Sequence, residues 1–442
     1  MNYILIYSTR DSPRLQYILD LLFRQILGLS KWKLTLDLEA FLATSGVAKF
    51  NYSDQLMEGI PQLLPHGLLW EKTIHPISLQ PQTYQGQAAA FFVQPENFSK
   101  EIAYPFDLLA WAFYLVSRYE EYLPFEADVW GRFPATSSLA YQQGFLEQPL
   151  VNEWAWNWAE HLQQFYPDLQ FRPRPYQFSP SYDIDHAFAF AHKPWWRQTA
   201  AWARNVWQRD QESLQLRQAT RKNVQADPYN VYAYIQQLAN HYQHQALFFW
   251  LLGDYGPHDK NLPHHLPVMQ ELIRQQASQH LTGLHPSFAA NESLEQLRKE
   301  ADRLRKILHH PVELSRQHYL KLHLPTTYQR LIKLGIYRDY SMGYARALGF
   351  RASMATPFIW YDLQQEQATN LLIYPFAIMD VTLHTYLQLS PEEAIAACRP
   401  LVEKSKAVQG HFIPVWHNSS LCEAWQWKGW RRVYEALLEM GC

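Results

Sequence analysis

The chain has 442 residues, 48% hydrophobic and 18% charged, a globular balance with enough core for two or three domains. Its 39 basic and 41 acidic residues leave a formal net charge of −2, so no bulk positive field points to nucleic acid or to an anionic membrane. The cysteines Cys398, Cys422 and Cys442 form no C-x-x-C pair, and no apolar run approaches the roughly 20 residues of a spanning helix, so a cytoplasmic protein with reduced thiols is expected.

The first residues, Met1 to Ser8, lack the basic start and long apolar stretch of a signal peptide and read as an opening strand. From Pro13 to Leu27, the apolar positions Leu15, Ile18, Leu21, Leu22 and Ile26 fall at helical spacing. A second helix is expected over Pro105 to Tyr122. Its polar end, with Arg118, Glu120 and Glu121, fits a solvated terminus or an interface ion pair. Prolines at 167, 173, 175 and 180 resist helix and mark a connector. A boundary near residue 172 would separate an N-terminal α/β domain of unknown role, 1–172, from a second domain, 173–442.

Beyond that boundary strands and helices alternate. Strands are expected at Tyr176–Ile184, Ala246–Leu252, Leu281–His285, Val312–His318, Ile336–Tyr340, Leu371–Phe376 and His411–His417. Helices are expected at Leu266–Ala277, Leu294–Leu308 and Pro391–Lys404. The alternation predicts a parallel sheet, open or closed into a barrel. Polar residues end many of these strands: Asp183 and Asp185, His285, Arg316 and His318, Asp339, and His417. That is the pattern of a site at the carboxyl ends of barrel strands. Asp183 and Asp185, two apart on a strand, would share one face, so one carboxylate could hold a metal while the other handles its water. Taken singly, each residue has a structural reading: the aspartates as helix caps, His285 or His417 in a polar turn, Arg316 as a neutralising partner. The 17 tryptophans suit a large aromatic core or a sugar platform.

The joint order Asp183-x-Asp185, Gly283-x-His285, Arg316-x-x-Tyr319, Asp339 and Trp416-His417 resembles the polysaccharide deacetylase superfamily, carbohydrate esterase family 4. The likeness covers about residues 176–442, and the preceding half looks like an uncharacterised domain found fused to such proteins. It implies a distorted (β/α) barrel of the NodB type and a metal-dependent hydrolase removing acetyl from an N-acetylated sugar or related carbohydrate. In that family's terms Asp183 is the base, Arg316 orients it, Asp339 tunes the network and His417 protonates the leaving amine. Asp185 and His285 are metal ligands. The family's second metal histidine falls at Ala289, and His318 stands where proline is usual. His318 would then complete a set with Asp185 and His285 around a divalent metal, zinc first; a two-ligand site or none are the alternatives. The implied partner is an acetylated amino sugar, with no nucleic acid and no membrane span. Two other functions fit less well: a deacetylase-like protein that only binds carbohydrate, and a metal-dependent glycosyltransferase, for which a Gly-rich phosphate loop is missing.

Overall fold

The computed structural model describes residues 3–93 and 99–442. In the N-terminal part, β1 (Tyr3–Ser8) is flanked in parallel by β2 (Lys31–Thr35) and β3 (Ala48–Tyr52). Its run Ile4-Leu5-Ile6 is buried, as a central parallel strand requires. The helix Pro13–Leu19 starts on a Ser12 side chain that accepts from Leu15 N, with proline at its first position, and passes into a π-helical turn to Ile26. A small hairpin, β4 (Gln82–Tyr84) and β5 (Gln87–Ala89), precedes the helix Leu108–Val116. That helix is buried on all sides and capped by Asp107. It stops earlier than the sequence suggests, and Tyr119–Tyr122 form a separate 3-10 turn.

The second sheet has eight strands in the order β12-β13-β11-β10-β9-β8-β7-β15. They are β7 (Ser181–Ile184), β8 (Leu247–Leu251), β9 (Leu281–His285), β10 (Leu314–Ser315), β11 (Arg338–Asp339), β12 (Phe358–Asp362), β13 (Gln367–Ile373) and β15 (Val415–His417). All neighbours run parallel except β12 and β13, an antiparallel pair that the alternation did not foretell. Several expected strands are shorter. Prolines split two of them: β6 (Gln177–Phe178) pairs with β14 (His411–Phe412), and Pro180 and Pro414 separate these from β7 and β15. No ladder between named strands closes the sheet into a barrel; one bridge, Met379 to Val415, joins β15 to the segment leaving β13.

Side chains alternate across β8. Phe248 and Trp250 belong to the large core beneath the helices, while Leu247 and Phe249 form an inner cluster with Leu314, Tyr340 and Ile413. That inner cluster is the floor on which the polar strand ends stand.

The two halves share the large core and are tied by buried ions. Arg14 pairs with Glu366. Arg118, 1% exposed, donates to Glu120, Glu121 and the Tyr344 hydroxyl, and Glu121 also receives Arg351 at 2.5 and 2.9 Å. The polar end of the second helix is thus an interface ion network and not a solvated terminus. Burial alone would push the Glu121 carboxyl up, but Arg351 and Arg118 outweigh it and hold it below its ordinary value. Its contribution is present above the unfolded value of 4.5 and is lost as pH falls through the lower folded value. Glu121→Gln would leave two guanidiniums short of their counter-charge. Urea unfolding at neutral pH is expected to show a loss of about 3–5 kcal/mol, with a smaller difference from the parent in acid.

Candidate active site

Asp183 is the last residue but one of β7, in register with His417 on β15 and Phe249 on β8, so its carboxylate faces the inside of the curled sheet. It is 3% exposed and needs a partner. Arg316, just past β10, supplies it: Nη1 donates to Asp183 Oδ1 at 2.9 Å, and Nε donates to the Tyr340 carbonyl at 3.0 Å. The guanidinium lies 4.5 Å from the centre of the Phe249 ring, which fixes its plane.

Asp185 lies just beyond the strand. Its Oδ1 is 3.3 Å from His285 Nε2 and 3.5 Å from His318 Nε2, and its Oδ2 is 3.7 Å from His417 Nε2. Each ring is anchored through its other nitrogen. His285 Nδ1 is 2.6 Å from the Arg316 carbonyl, His318 Nδ1 is 2.9 Å from Asp259 Oδ1, and His417 Nδ1 is 2.9 Å from Asp380 Oδ1. Carbonyls and carboxylates accept, so each Nδ1 carries the hydrogen and each Nε2 points toward Asp185. His285 is brought in by a close approach at Gly283, where a Cβ would fall 2.8 Å from the Phe249 ring and 2.9 Å from Leu314.

Four carboxylates, from Asp183, Asp185, Asp259 and Asp380, surround these rings. Burial opposes charge on His318 and His417, yet the Asp185 and Asp259 carboxylates raise His318 to about 9, and Asp380 with Asp185 raises His417 to about 10. Burial likewise opposes ionisation of Asp185, but the charges of His318 and His417 and the facing Nε2 atom of His285 hold it well below the usual range. The pocket draws positive charge, as protons or as a metal ion.

The residues fit a cation. One ligand atom each from Asp185, His285 and His318 lies within 4.8 Å of the others. Asp185 Oδ1 is buried and makes no hydrogen bond. Tetrahedral zinc with bonds of about 2.0–2.1 Å sets its ligands about 3.3 Å apart, close to the 3.3 and 3.5 Å from Asp185 Oδ1 to the two Nε2 atoms. The Nδ1 partners of His285 and His318 are the carbonyl and carboxylate that commonly orient metal-binding imidazoles.

The cavity above these groups has a volume of about 230 Å³ and is also lined by Arg132, Tyr319, Leu320, Met379 and Tyr386. Tyr319 sits at φ 60°, a conformation costly for a bulky residue. Arg132, from the N-terminal half, donates from Nη1 to the Tyr319 carbonyl at 2.7 Å, and the Trp130 ring packs 4.8 Å from that of Tyr319.

Asp183, Asp185, His285, Arg316, His318 and His417 therefore come together. Asp339 does not join them: it is absent from the cavity lining and accepts from Ser315 Oγ, Ser341 N and Ser341 Oγ at 2.8–3.0 Å. Ser341 Oγ in turn accepts from Gln317 N, so Asp339 acts as a positioning residue for the loop between Arg316 and His318. Ala289 lies in the short helix Phe288–Glu292 and turns only its backbone N–H toward Asp259. Asp259 and Asp380 were not foreseen. Asp259 sits in irregular backbone and Asp380 opens the helical turn that leads into Thr382–Tyr386, so neither ends an expected strand; the one signal was that Asp380 follows the apolar Phe376-Ala377-Ile378-Met379.

Residues 4–167 match a family of unknown function, DUF7033. No curated protein matches the chain. Among solved structures, one from Mycobacterium smegmatis assigned as a polysaccharide deacetylase is 14% identical, covering 60% of this chain and 82% of its own, with a TM-score of 0.39. The polysaccharide deacetylase Bc1974 of Bacillus cereus is 10% identical over 60% and 86%, TM-score 0.30. PuuE allantoinase is 9% identical over 60% and 83%, TM-score 0.37.

The full chain, stripped with chelator and dialysed against zinc, is expected to retain about one equivalent per chain by plasma emission spectroscopy. His318→Ala or Asp185→Ala should abolish retention, and Asp259→Asn should weaken affinity by about 10–100-fold. Unchanged retention in His318→Ala would remove it from the ligand set.

Proposed function

We propose that the chain is a divalent-metal-dependent hydrolase that removes an acetyl group from an N-acetylated sugar or a related carbohydrate. The observation that carries the reading is the meeting, in one cavity, of the Asp185–His285–His318 cluster with two held groups of opposite proton character: Asp183 on Arg316, and His417 on Asp380. The NodB-type barrel and the division of the chain near residue 172 belong to the same reading. It is supported by the curled parallel sheet, whose carboxyl ends carry the cluster, and by the end of the DUF7033 match at residue 167.

Asp185, His285 and His318 would hold the cation, zinc being the best fit to two imidazoles and a carboxylate. Once bound, the metal supplies Lewis acidity toward a carbonyl and toward water. Asp183 takes the proton from the attacking water as general base, while Arg316 keeps its second oxygen aimed into the cavity. The backbone at Tyr319, on the cavity wall, supplies the donor for the oxygen that gains charge. His417 is hydrogen-bonded to Asp380 through Nδ1 and presents Nε2 to the cavity. From there it passes a proton to the departing nitrogen. The aromatic wall of Tyr319 and Tyr386 suits the C–H face of a sugar ring.

The test is acetate release from a panel of N-acetyl sugars by zinc-loaded protein. Asp183→Asn and His417→Ala should each lower kcat by about 10²–10⁴ while zinc content stays unchanged. Failure of the zinc-loaded parent with every substrate would favour the carbohydrate-binding reading, toward which Ala289 leans.

A further inference from the structure

Between the site loop and the next strand the chain throws out two helices, Trp195–Trp207 and Gln211–Lys222. The first is nearly all exposed, only Asn205 being buried. Among the described residues every exposed tryptophan lies on this one helix: Trp195, Trp196, Trp202 and Trp207, the first and last 77% and 82% exposed. Trp195, Thr199, Trp202 and Val206 fall at i, i+4, i+7 and i+11 and share one face. Beside that face runs an open groove of about 820 Å³, floored by Leu214 and Phe190 and edged by Arg221 and Val224. Four exposed indoles on one helix are an unusual concentration, since the other tryptophans among the described residues are buried or half-buried.

The charge around it is one-sided. Residues 195–222 hold six cations, Arg197, Arg204, Arg209, Arg217, Arg221 and Lys222, against two acids, Asp210 and Glu212. Both acids are already engaged: Asp210 caps the second helix, and Glu212 pairs with Lys428. Arg204, Arg209, Arg221 and Lys222 are exposed and face no carboxylate among the described residues. A surface that offers tryptophan and unpaired cations together matches an anionic bilayer interface, where indole rings settle at the headgroup level and basic residues meet anionic lipid. A symmetric second copy would set like charges against each other. The near-zero charge of the whole chain hides this local excess.

We propose that the 195–222 hairpin docks on the surface of an anionic lipid bilayer, without spanning it. No described helix is long and apolar enough to cross one, so the contact is peripheral. The hairpin is fastened to the site: Arg197 donates to the Lys260 and Asn261 carbonyls, next to Asp259, which holds His318. Docking would therefore bring the loop that borders the cavity to the membrane plane.

The experiment is co-sedimentation of the full chain with vesicles of phosphatidylcholine alone or with one quarter phosphatidylglycerol. Binding is expected only to the anionic vesicles, with blue-shifted tryptophan emission, and about tenfold weaker in 0.5 M than in 0.05 M NaCl. The double variants Trp202→Ser with Trp207→Ser, and Arg204→Glu with Arg221→Glu, should each lower binding about tenfold or more. Unfolding midpoints equal to the parent's would show that they remain folded. The idea is overturned if the parent stays in the supernatant with anionic vesicles, or if both variants bind as the parent does. It is also overturned if the tryptophan variant instead abolishes a self-association seen by light scattering, or if the parent binds single-stranded oligonucleotide and ignores lipid.

Discussion

Four carboxylates gathered at one end of a parallel sheet, three of them almost wholly withdrawn from solvent, set the terms for everything near them. Each must find a positive or donating neighbour or forgo its charge. Asp183 takes Arg316, Asp380 takes the ring and backbone N–H of His417, and Asp259 takes His318. Asp185 is left with one oxygen that no donor satisfies, facing imidazole nitrogens whose opposite sides are already committed. The geometry around that oxygen is the product of the other three pairings. Each of them turns a ring or a guanidinium to a fixed angle before any ligand arrives.

How much of this could be read in the sequence follows from the kind of segment involved. The apolar runs Leu247–Leu251 and Leu281–His285 are long, and both strands and their polar ends were legible. His285 was therefore found as a strand-end residue. The short strands at Leu314–Ser315 and Arg338–Asp339 are fixed by pairing with neighbours more than by their own pattern, so they were drawn too long. Asp339 stays outside the cavity: on so brief a strand nothing indicates which way a side chain turns, and it turns to serine hydroxyls. The antiparallel strand Phe358–Asp362 was hidden within a region where parallel alternation was the only rule applied. Asp259 occupies irregular backbone and Asp380 the start of a helical turn, where only tertiary contact gives a carboxylate its meaning.

The polar tail of the helix Leu108–Val116 illustrates a different limit. Composition allowed water or an interface, and the neighbour that decides, Arg351, lies 230 residues away. Local pattern cannot choose between solvent and a distant guanidinium, because both satisfy the same charge. The six cations of the 195–222 hairpin were lost in the opposite way, by averaging: a formal net charge of −2 is compatible with a strongly basic edge.

The reach of Arg132 to the Tyr319 carbonyl gives the division of the chain a practical meaning. The cavity wall belongs to one half in sequence and is propped by the other. A fragment cut at the proline connector would keep the strand ends and their carboxylates, but its Tyr319 would hold a left-handed conformation with neither the guanidinium on its carbonyl nor the indole against its ring. The N-terminal half is in this sense a part of the mouth. Grafting a different partner onto the C-terminal half would need to supply an equivalent prop before the pocket could keep its shape.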